Sequence, residues 1–461
     1  MSATSIEKER IRNLNDKEIN TDGAYVLYWM QQSQRDEYNH ALEFAIEQAN
    51  ELEKPLLVVF GLMDDYPEAN LRHYYFMLEG LLEVQKNLKK RKIRMIVAHG
   101  HPADIALKYG KDACCIVCDM GYLRHHREWR SKVSKNAKVN VFQVESDLIV
   151  PVEVVSQKQE YAARTIRSKV HKHLDKFLNE LKTTKPKQSS LSFEDDGIDI
   201  SDVKKACSQL KLDTNVPPVP QFFKGGTSHA KKRFNDFLSN SLNKYNKNRN
   251  QAQTNDISHM SIYLHFGQIS AVWLARETLQ QKSKEDVDSY IEELLVRREL
   301  AANYCHFNPA YDSFKSLPEW AQKSLDKHKD DEREHVYTRQ QLEDAETHDE
   351  YWNASMREMR YTGFMHNYMR MYWGKKILEW TNTPEHAYRT LLAINNKYFL
   401  DGRDHNSYTN VSWIFGIHDR AWQERPIFGK VRTMVASGLE RKFDTKAYIK
   451  KVDDLVKKAK N

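Results

Sequence analysis

The sequence predicts a doubly wound α/β domain built on a parallel sheet, followed by an all-helical domain. Short apolar runs alternate with helix-like stretches over the first third of the chain. Beyond residue 227 strand patterns nearly vanish, long helical patterns dominate, and seven of the nine tryptophans occur. A chain of 461 residues also exceeds the roughly 250–300 residues at which single cores stop growing, so two or more domains are expected.

Buried strands explain the apolar runs of the first third. Each run is short and apolar on both faces, which is typical of strands covered by helices on both sides. Segments 36–53 and 70–91 lie between such runs and have the amphipathic spacing of helices, so the alternation indicates a parallel sheet. The predicted strands are 24–29, 55–62, 94–100, 114–119 and 139–144.

Several kinds of site are disfavoured by what the sequence lacks. No GxGxxG or Walker motif occurs, so the α/β domain has no evident dinucleotide or ATP site. Cys115 and Cys118 form a lone CxxC, which we interpret as buried strand residues because no second Cys or His pair accompanies them. No metal site is expected. The charged N-terminus, the lack of a long apolar run and the absence of a disulfide framework favour a soluble intracellular protein, nuclear or cytoplasmic, without a membrane partner.

The segment 182–226 is expected to connect two domains. It begins with the polar stretch "KTTKPKQSSLSFEDDGIDISD" and ends with "NVPPVPQFFKGG", which is rich in Pro and Gly. This composition is typical of a linker and not of a packed element. We therefore expect an α/β domain over 22–165, an interdomain connection over 166–226 and a helical domain over 227–461.

The positive charge is concentrated at the C-terminal end. The net charge of the chain is +7, and residues 412–461 contribute +6 of it through twelve Lys or Arg and six Asp or Glu. A basic end suits a phosphate backbone, although a solvated lysine-rich tail would have the same composition.

The stretch from Gly363 to Trp380 carries the most information. On a helix, His366, Arg370, Trp373, Ile377 and Trp380 form one continuous stripe. An arginine in a stripe suited to burial needs an anionic partner, because an unpaired buried charge costs several kcal/mol. The two indoles lie two turns apart, about 10.5 Å along the axis. That separation suits core packing and also electron hopping between indoles.

Two further segments have the composition of a ligand site. Residues 394–422 combine carboxylates, amides, two arginines and two tryptophans in a Gly-punctuated run. We interpret this run as loop-like and suited to a nucleotide or a flavin. Ser258, His259 and Ser261 stand just before an apolar helix, where a helix N-terminus could hold a phosphate, although any N-cap has this appearance.

Several long segments, in matching order, resemble the class II cyclobutane pyrimidine dimer photolyases of the photolyase/cryptochrome family. The resemblance runs from "YVLYWMQQSQRDEYNHAL" to "RKFDTKAYI" and is strongest over 245–445. It implies light-dependent repair of pyrimidine dimers in double-stranded DNA, by electron transfer from photoexcited reduced FAD to a flipped-out dimer, in a monomeric protein. The segments are "SIYLHFGQIS", "EELLVRREL", "THDEYWNAS", "MHNYMRMYWGKKILEW" and "LDGRDHNSYTNVSW".

The resemblance implies a non-covalent FAD, reduced and anionic in its active form, within the helical domain. Asp401 would be the anionic partner of Arg370, and Asn395 would lie beside the flavin N5. A second, antenna chromophore of unspecified identity could occupy the α/β domain. The matching cofactor positions are Tyr245, Ile257, Ser258, His259, Met260, Ser261, Arg370, Asn395 and Asp401.

The resemblance also assigns residues to the lesion and to electron transfer. Glu293 matches the acidic residue that hydrogen-bonds the dimer. Trp373, nearest the flavin, then Trp352 and the outermost Trp380 match the tryptophans that reduce the flavin by light before repair. The DNA or lesion positions are Arg249 near the lesion phosphate, Met371 and Trp413 in the lesion pocket, and Arg420 and Trp422 in a loop that fills the gap left in the duplex.

Two alternatives stay open from the sequence. A cryptochrome-type photoreceptor would share the fold without repairing DNA, but Glu293, Met371 and Trp413 favour repair. A light-independent FAD-binding or nucleotide-binding protein would leave the three matching tryptophan positions explained only as core residues.

Overall fold

The N-terminal part of the protein is a six-stranded sheet. The computed structural model describes residues 4–194 and 196–461. The strand order is β1-β6-β5-β2-β3-β4, and all pairings are parallel except that of β1, which runs antiparallel to β6 at the edge. The strands are β1 (Ile11–Asn13), β2 (Tyr25–Met30), β3 (Leu56–Leu62), β4 (Arg94–His99), β5 (Ala113–Asp119) and β6 (Asn140–Val144).

Helices cover both faces of this sheet, as the sequence predicts. Along β2, Val26 and Tyr28 pack with α1 and α2, whereas Leu27 and Trp29 pack with α3 and α4 on the other face. All five predicted strands are confirmed, and so are the two predicted helices. The helices are α1 (His40–Glu51), α2 (Leu71–Lys90), α3 (Pro102–Gly110) and α4 (Arg124–Asn136).

The rest of the chain is helical. Between the sheet and the first long helix of this part, the chain forms α5 (Val152–Val155), α6 (Ala163–Phe177) and α7 (Val203–Ser208). The later helices are α8 (Thr227–Asn240), α9 (Tyr245–Asn248), α10 (Met260–His265), α11 (Ala271–Leu279), α12 (Lys284–Ile291), α13 (Arg298–Phe307), α14 (Glu319–Lys327), α15 (Arg339–Glu343), α16 (Glu350–Thr362), α17 (Asn367–Trp380), α18 (Pro384–Tyr398), α19 (His405–Ile414), α20 (Ala436–Glu440) and α21 (Thr445–Lys460). None of the helices in the described residues is both long and apolar enough to cross a membrane.

The segment 182–226 is not wholly without packed structure. The six-residue α7 buries Val203, Ala206 and Cys207 in the core that α2 also lines. The composition hid this helix because its apolar residues are few and its flanks are polar. The domain boundaries at 165 and 226 stay predictions.

The sheet and the helices meet across a close backbone contact. Arg35 is buried after β2, and its guanidinium donates to the carbonyls of Ser146 (2.6 Å) and Gly267 (3.0 Å). Gly267 has a φ of +65°, and a Cβ there would lie 1.9 Å from the carbonyl oxygen of Gln32. Only glycine allows this approach, which presses the carboxyl end of β2 against α10.

The most informative helix begins later than its pattern indicates. Gly363, with a φ of +75°, ends α16, and His366 caps α17, whose first residue is Asn367. The prediction that residues 394–422 form a loop was wrong in part, because this segment contains the end of α18 and the whole of α19. Its polar residues serve internal contacts: Asp404 caps α19, and Ser412 contacts the hydroxyls of two buried tyrosines.

Candidate functional site

Arg370 and Asp401 form the predicted ion pair. The two terminal nitrogens of Arg370 donate to the two carboxylate oxygens of Asp401, each at 3.0 Å, and its Nε donates to the carbonyl of Met365 at 2.9 Å. The guanidinium lies 4.0 Å from the ring centroid of Phe399 and 5.0 Å from that of Phe364. The side chain of Asp401 is 5% exposed, so this bidentate pair is largely removed from water.

Asn395 lies beside this pair with one hydrogen-bond acceptor to spare. Its Nδ2 donates to Ser407 Oγ (3.1 Å) and to Asn396 Oδ1 (3.0 Å). Ser407 in turn donates to the backbone carbonyl of Asp401 (3.3 Å), which links the amide to the ion pair. Asn395 Oδ1 accepts no hydrogen bond from any residue the structure describes. The residue is buried as a whole, but this oxygen is not fully enclosed, so water or a ligand can reach it. An acceptor in this position fits a ligand N–H.

The segment 257–261 reaches the same site through aromatic contacts. His259 adopts the left-handed conformation (φ +57°), and its ring lies 4.7 Å from that of Phe364, which also stacks on Arg370. Burial lowers the pKa of His259 well below its ordinary value, so the ring is neutral. Ser258 Oγ accepts from the backbone N–H of Met260 (3.3 Å). The prediction that Ser261 stands before the helix was wrong. Ser261 lies in the first turn of α10 and is exposed.

A polar cavity adjoins the other side of this segment. Its lining includes Ile257 and His259, together with basic residues of α8 and the preceding loop, among them Lys224, Lys232 and Arg233. The cavity has a volume of about 450 Å³.

Tyr245, Arg249 and Glu293 form a neighbouring group. Arg249 Nη2 pairs with Glu293 Oε1 at 2.5 Å, and its guanidinium lies 5.9 Å from the ring centroid of Tyr245. The Tyr245 ring packs edge-on against Tyr290, whose hydroxyl reaches Ser258 Oγ at 3.1 Å. Glu293 lies in a π-helical stretch, Glu292–Arg297, a geometry frequent at functional sites. Two residues assigned to different parts of damaged DNA therefore pair with each other.

The three tryptophans form a contiguous buried path away from this site. Trp373 packs edge-on against Phe399 at 6.2 Å, the ring that stacks on Arg370. Trp352 Nε1 donates to the backbone carbonyl of Trp373 at 3.0 Å, and its ring lies 5.6 Å from that of Trp380. Each indole is at most 2% exposed. Their role in electron transfer, in the order Trp373, Trp352 and Trp380, stays a prediction.

The residues predicted to contact the lesion lie at the surface. Met371 on α17 and Trp413 on α19 are half-buried, whereas Arg420 and Trp422 are exposed and stack on each other at 5.0 Å. Arg432, which the sequence did not single out, lies 5.2 Å from the Trp422 ring and 6.0 Å from the Trp413 ring. It thereby links the exposed loop to the half-buried indole.

A second cavity lies between the sheet and the helices. It has a volume of about 110 Å³ and adjoins the carboxyl ends of the strands, where the strand order switches between β2 and β5. Asp119 at the end of β5 fixes its rim by accepting the backbone N–H groups of Gln31 (3.1 Å) and Gln32 (3.2 Å). The lining includes Trp129, His126, His265, Arg403 and His405.

Arg403 is a buried cation at the wall of this cavity. It donates to His73 Nε2 at 2.8 Å and to the carbonyl of Asn396 at 2.6 Å, and it forms no ion pair with a carboxylate of the described chain. Burial keeps the lining histidines neutral, lowering the pKa of His405 to about 3. The segment "LDGRDHN" is predicted to be part of a ligand site, but the sequence alone does not show that Asp401 pairs with Arg370 whereas Arg403 lines this cavity.

The two cysteines of the CxxC are buried in β5, where the sequence predicts them. Burial raises the pKa of the Cys118 thiol to about 12. Across 4–194 and 196–461, no three His, Cys, Asp or Glu side chains are grouped in a way that could hold a metal ion.

Residues 26–188 match the family model described as DNA photolyase. The chain is 47% identical over 453 residues to the deoxyribodipyrimidine photo-lyase of Methanothermobacter thermautotrophicus, covering 98% of this chain and 99% of that protein. It is 37% identical to the deoxyribodipyrimidine photo-lyase of Arabidopsis thaliana, covering 99% and 95%. An archaeal photolyase from Sulfolobus tokodaii, solved with two FAD molecules, is similar in structure with a TM-score of 0.71 at 16% identity, covering 92% and 89%.

A parallel α/β domain packed on a helical domain in this way is the fold shared by photolyases and cryptochromes, which confirms the predicted fold class. The similarity in sequence to these photo-lyases extends over nearly the whole chain. The chain belongs to the DNA photolyase family.

Proposed function

We propose that this protein repairs cyclobutane pyrimidine dimers in DNA by using light, as a class II photolyase. The observation that carries this proposal is the 47% identity, over 98% of the chain, to a protein named deoxyribodipyrimidine photo-lyase. Glu293, Met371 and Trp413, the three positions expected to meet the dimer, favour repair over the cryptochrome-type alternative.

The geometry around Arg370 supports a flavin site. FAD, when bound, supplies the photoexcited electron that opens the cyclobutane ring. Asp401 holds Arg370 in place through two hydrogen bonds, and the buried Asn395 keeps a free carbonyl oxygen for a ligand N–H. Ser258, Ser261 and Tyr245 would complete the site, together with Ile257, His259 and Met260. The nearby Trp373, Trp352 and Trp380 would carry electrons to the flavin, with Trp380 at the far end of the path.

The surface next to this site suits a flipped dimer. Trp413 and Met371 offer half-buried apolar area, and Arg420 with Trp422 stand on an exposed loop that could fill the gap in the duplex. The pair of Arg249 and Glu293 offers a cation for a phosphate and a carboxylate for the dimer. Binding of DNA would have to exchange this internal pair for two contacts with the substrate.

The interdomain cavity supports a second chromophore. Its lining joins an aromatic ring, Trp129, to polar histidines, and the unpaired Arg403 provides a positive charge. Cavities at the switch point of a parallel sheet are common ligand sites. We infer that the light-harvesting pigment expected for the α/β domain inserts only a part of its structure here, because the cavity of about 110 Å³ is smaller than the roughly 300–1,000 Å³ of pockets that enclose a whole ligand.

Repair and binding can be tested with one pair of variants. Glu293→Gln keeps a group that can accept a hydrogen bond, so binding to dimer-containing duplex should survive while repair per absorbed photon falls. Glu285→Gln, an exposed carboxylate on α12, is the matched control and should behave as the wild type. A wild type that leaves the number of dimers unchanged under blue light, with the flavin reduced, contradicts the proposal.

A further inference from the structure

Lys375 on α17 is a buried cation that the proposed repair chemistry does not use. Its relative exposure is 0%, and it forms no ion pair with any carboxylate among the residues that the structure describes. An ammonium group removed from water without compensation costs several kcal/mol. Its position therefore depends on the two other partners that the fold gives it.

The first partner is the end of α19. Lys375 Nζ donates to the backbone carbonyl of Ile414, the last residue of that helix. Carbonyls in the last turn of a helix lack partners within the helix and carry its negative dipole end, so a cation there is favourable. The two helices approach closely at this point, since a Cβ on Gly374 would lie 2.8 Å from Ile414 Cδ1.

The second partner is the indole that we assign to the lesion pocket. Lys375 Nζ lies 5.3 Å from the ring centroid of Trp413, within the range of a cation–π contact. The contact begins a row in which cations and indoles alternate outward: Lys375, Trp413, Arg432, Trp422 and Arg420. The outer arginines can leave an indole for a phosphate. The buried lysine cannot, which makes it the fixed end of the row.

We propose that Lys375 is a positioning residue for lesion recognition, whose ammonium holds the end of α19 and the ring of Trp413 in place for the flipped dimer. The role rests on the proposed function, in which Trp413 lines the lesion pocket. Lys375 itself does not touch DNA in this role.

This role makes lesion recognition depend on pH. Burial lowers the pKa of Lys375 to about 7, and of the charged groups that face it, Asp419 raises the pKa and Arg432 lowers it. The ammonium is present below about pH 7 and is lost as the pH rises through that value. An arginine at 375 would stay charged throughout, whereas a methionine would have the chain length without the charge.

The test is the ratio of the Kd for undamaged duplex to the Kd for dimer-containing duplex, measured in the dark at pH 6.0 and pH 8.5. Phosphate contacts affect both duplexes and cancel in this ratio. In the wild type the ratio should fall by about tenfold between the two pH values, because the dimer must then order a Trp413 ring that the desolvated cation–π contact no longer holds in place. Lys375→Met should give the low ratio at both pH values, and Lys375→Arg the high ratio at both.

Lys376→Met is the matched control, because the neighbouring Lys376 pairs with Glu379 and contacts Tyr372 and Trp380 instead of Trp413. It should follow the wild type. A wild type whose ratio stays high at pH 8.5, or a folded Lys375→Met that keeps the high ratio, overturns this role and leaves repair intact. A wild type that never prefers damaged DNA overturns the proposed function and this role with it.

Discussion

Replacing Arg370 with alanine would leave the carboxylate of Asp401 buried without its partner. The wild-type arginine makes two hydrogen bonds of 3.0 Å to that carboxylate and one of 2.9 Å to a backbone carbonyl, and it lies 4.0 Å from the ring of Phe399. Removing one member of a buried pair costs about 3–5 kcal/mol. The side chain of Arg370 is 21% exposed, so we expect a loss near the lower end, about 3 kcal/mol. The variant should also lose its FAD.

The assay is urea unfolding followed by circular dichroism, with flavin absorbance per chain measured on the same preparations. Arg357→Ala is the control, because Arg357 pairs with Asp453 at 2.8 Å but both side chains are more than a third exposed, at 35% and 43%. Such a surface pair is worth about 0–1 kcal/mol. The double variant Arg370→Met, Asp401→Asn removes both charges and should recover most of the lost stability. The reasoning is refuted if Arg370→Ala costs no more than Arg357→Ala and keeps its flavin.

Three further predictions follow from the buried path, the lesion wall and a buried carboxyl group. Trp373→Phe should block light-driven flavin reduction by external thiols yet leave repair intact once the flavin is chemically reduced. If photoreduction is unchanged in this variant, Trp373 serves only to pack the core. Trp413→Ala should lose about 1–3 kcal/mol of binding free energy for damaged duplex. If this variant discriminates the dimer as well as the wild type does, Trp413 does not line the lesion pocket. Burial raises the pKa of Glu299 to about 8. Between about pH 4.5 and pH 8 the folded protein therefore keeps a proton that the unfolded chain releases, and the free energy of unfolding falls as the pH rises. Glu299→Gln should reduce the pH dependence of the free energy of unfolding between pH 5 and pH 8.5. An unchanged pH dependence would contradict the raised pKa of Glu299.

The strands β2 to β6 were predictable because a strand that is buried on both faces needs a short continuous run of apolar residues, which is visible in the sequence. The edge strand β1 has no such run, since Ile11–Asn13 contains one apolar residue and pairs with a strand more than a hundred residues away. Helix α4 was missed for a related reason: it buries Trp129 and Val133, but most of its other residues are basic or polar.

The need for an anion beside Arg370 could be argued from the stripe alone, but its partner could not. Asp401 lies 31 residues away, and only the resemblance to the photolyases named it. Neighbouring residues of one segment can also have different surroundings: Asp401 pairs with Arg370, whereas Arg403 lines the cavity between the sheet and the helices. Spacing in the sequence does not decide between these surroundings. The burial of Lys375 on α17 could not be predicted, because adjacent lysines such as Lys375 and Lys376 normally indicate the solvated face of a helix.

Light absorbed by this protein should repair pyrimidine dimers, and counting the dimers that remain measures this repair. The duplex carries one dimer at a defined position and is incubated with the FAD-loaded, chemically reduced wild type in blue light and in darkness. We expect the dimers to disappear in the light, with the two pyrimidines recovered in the intact strand, and to persist in the dark. Persistence of the dimers under illumination, in a preparation that holds reduced FAD and binds the duplex, would contradict it.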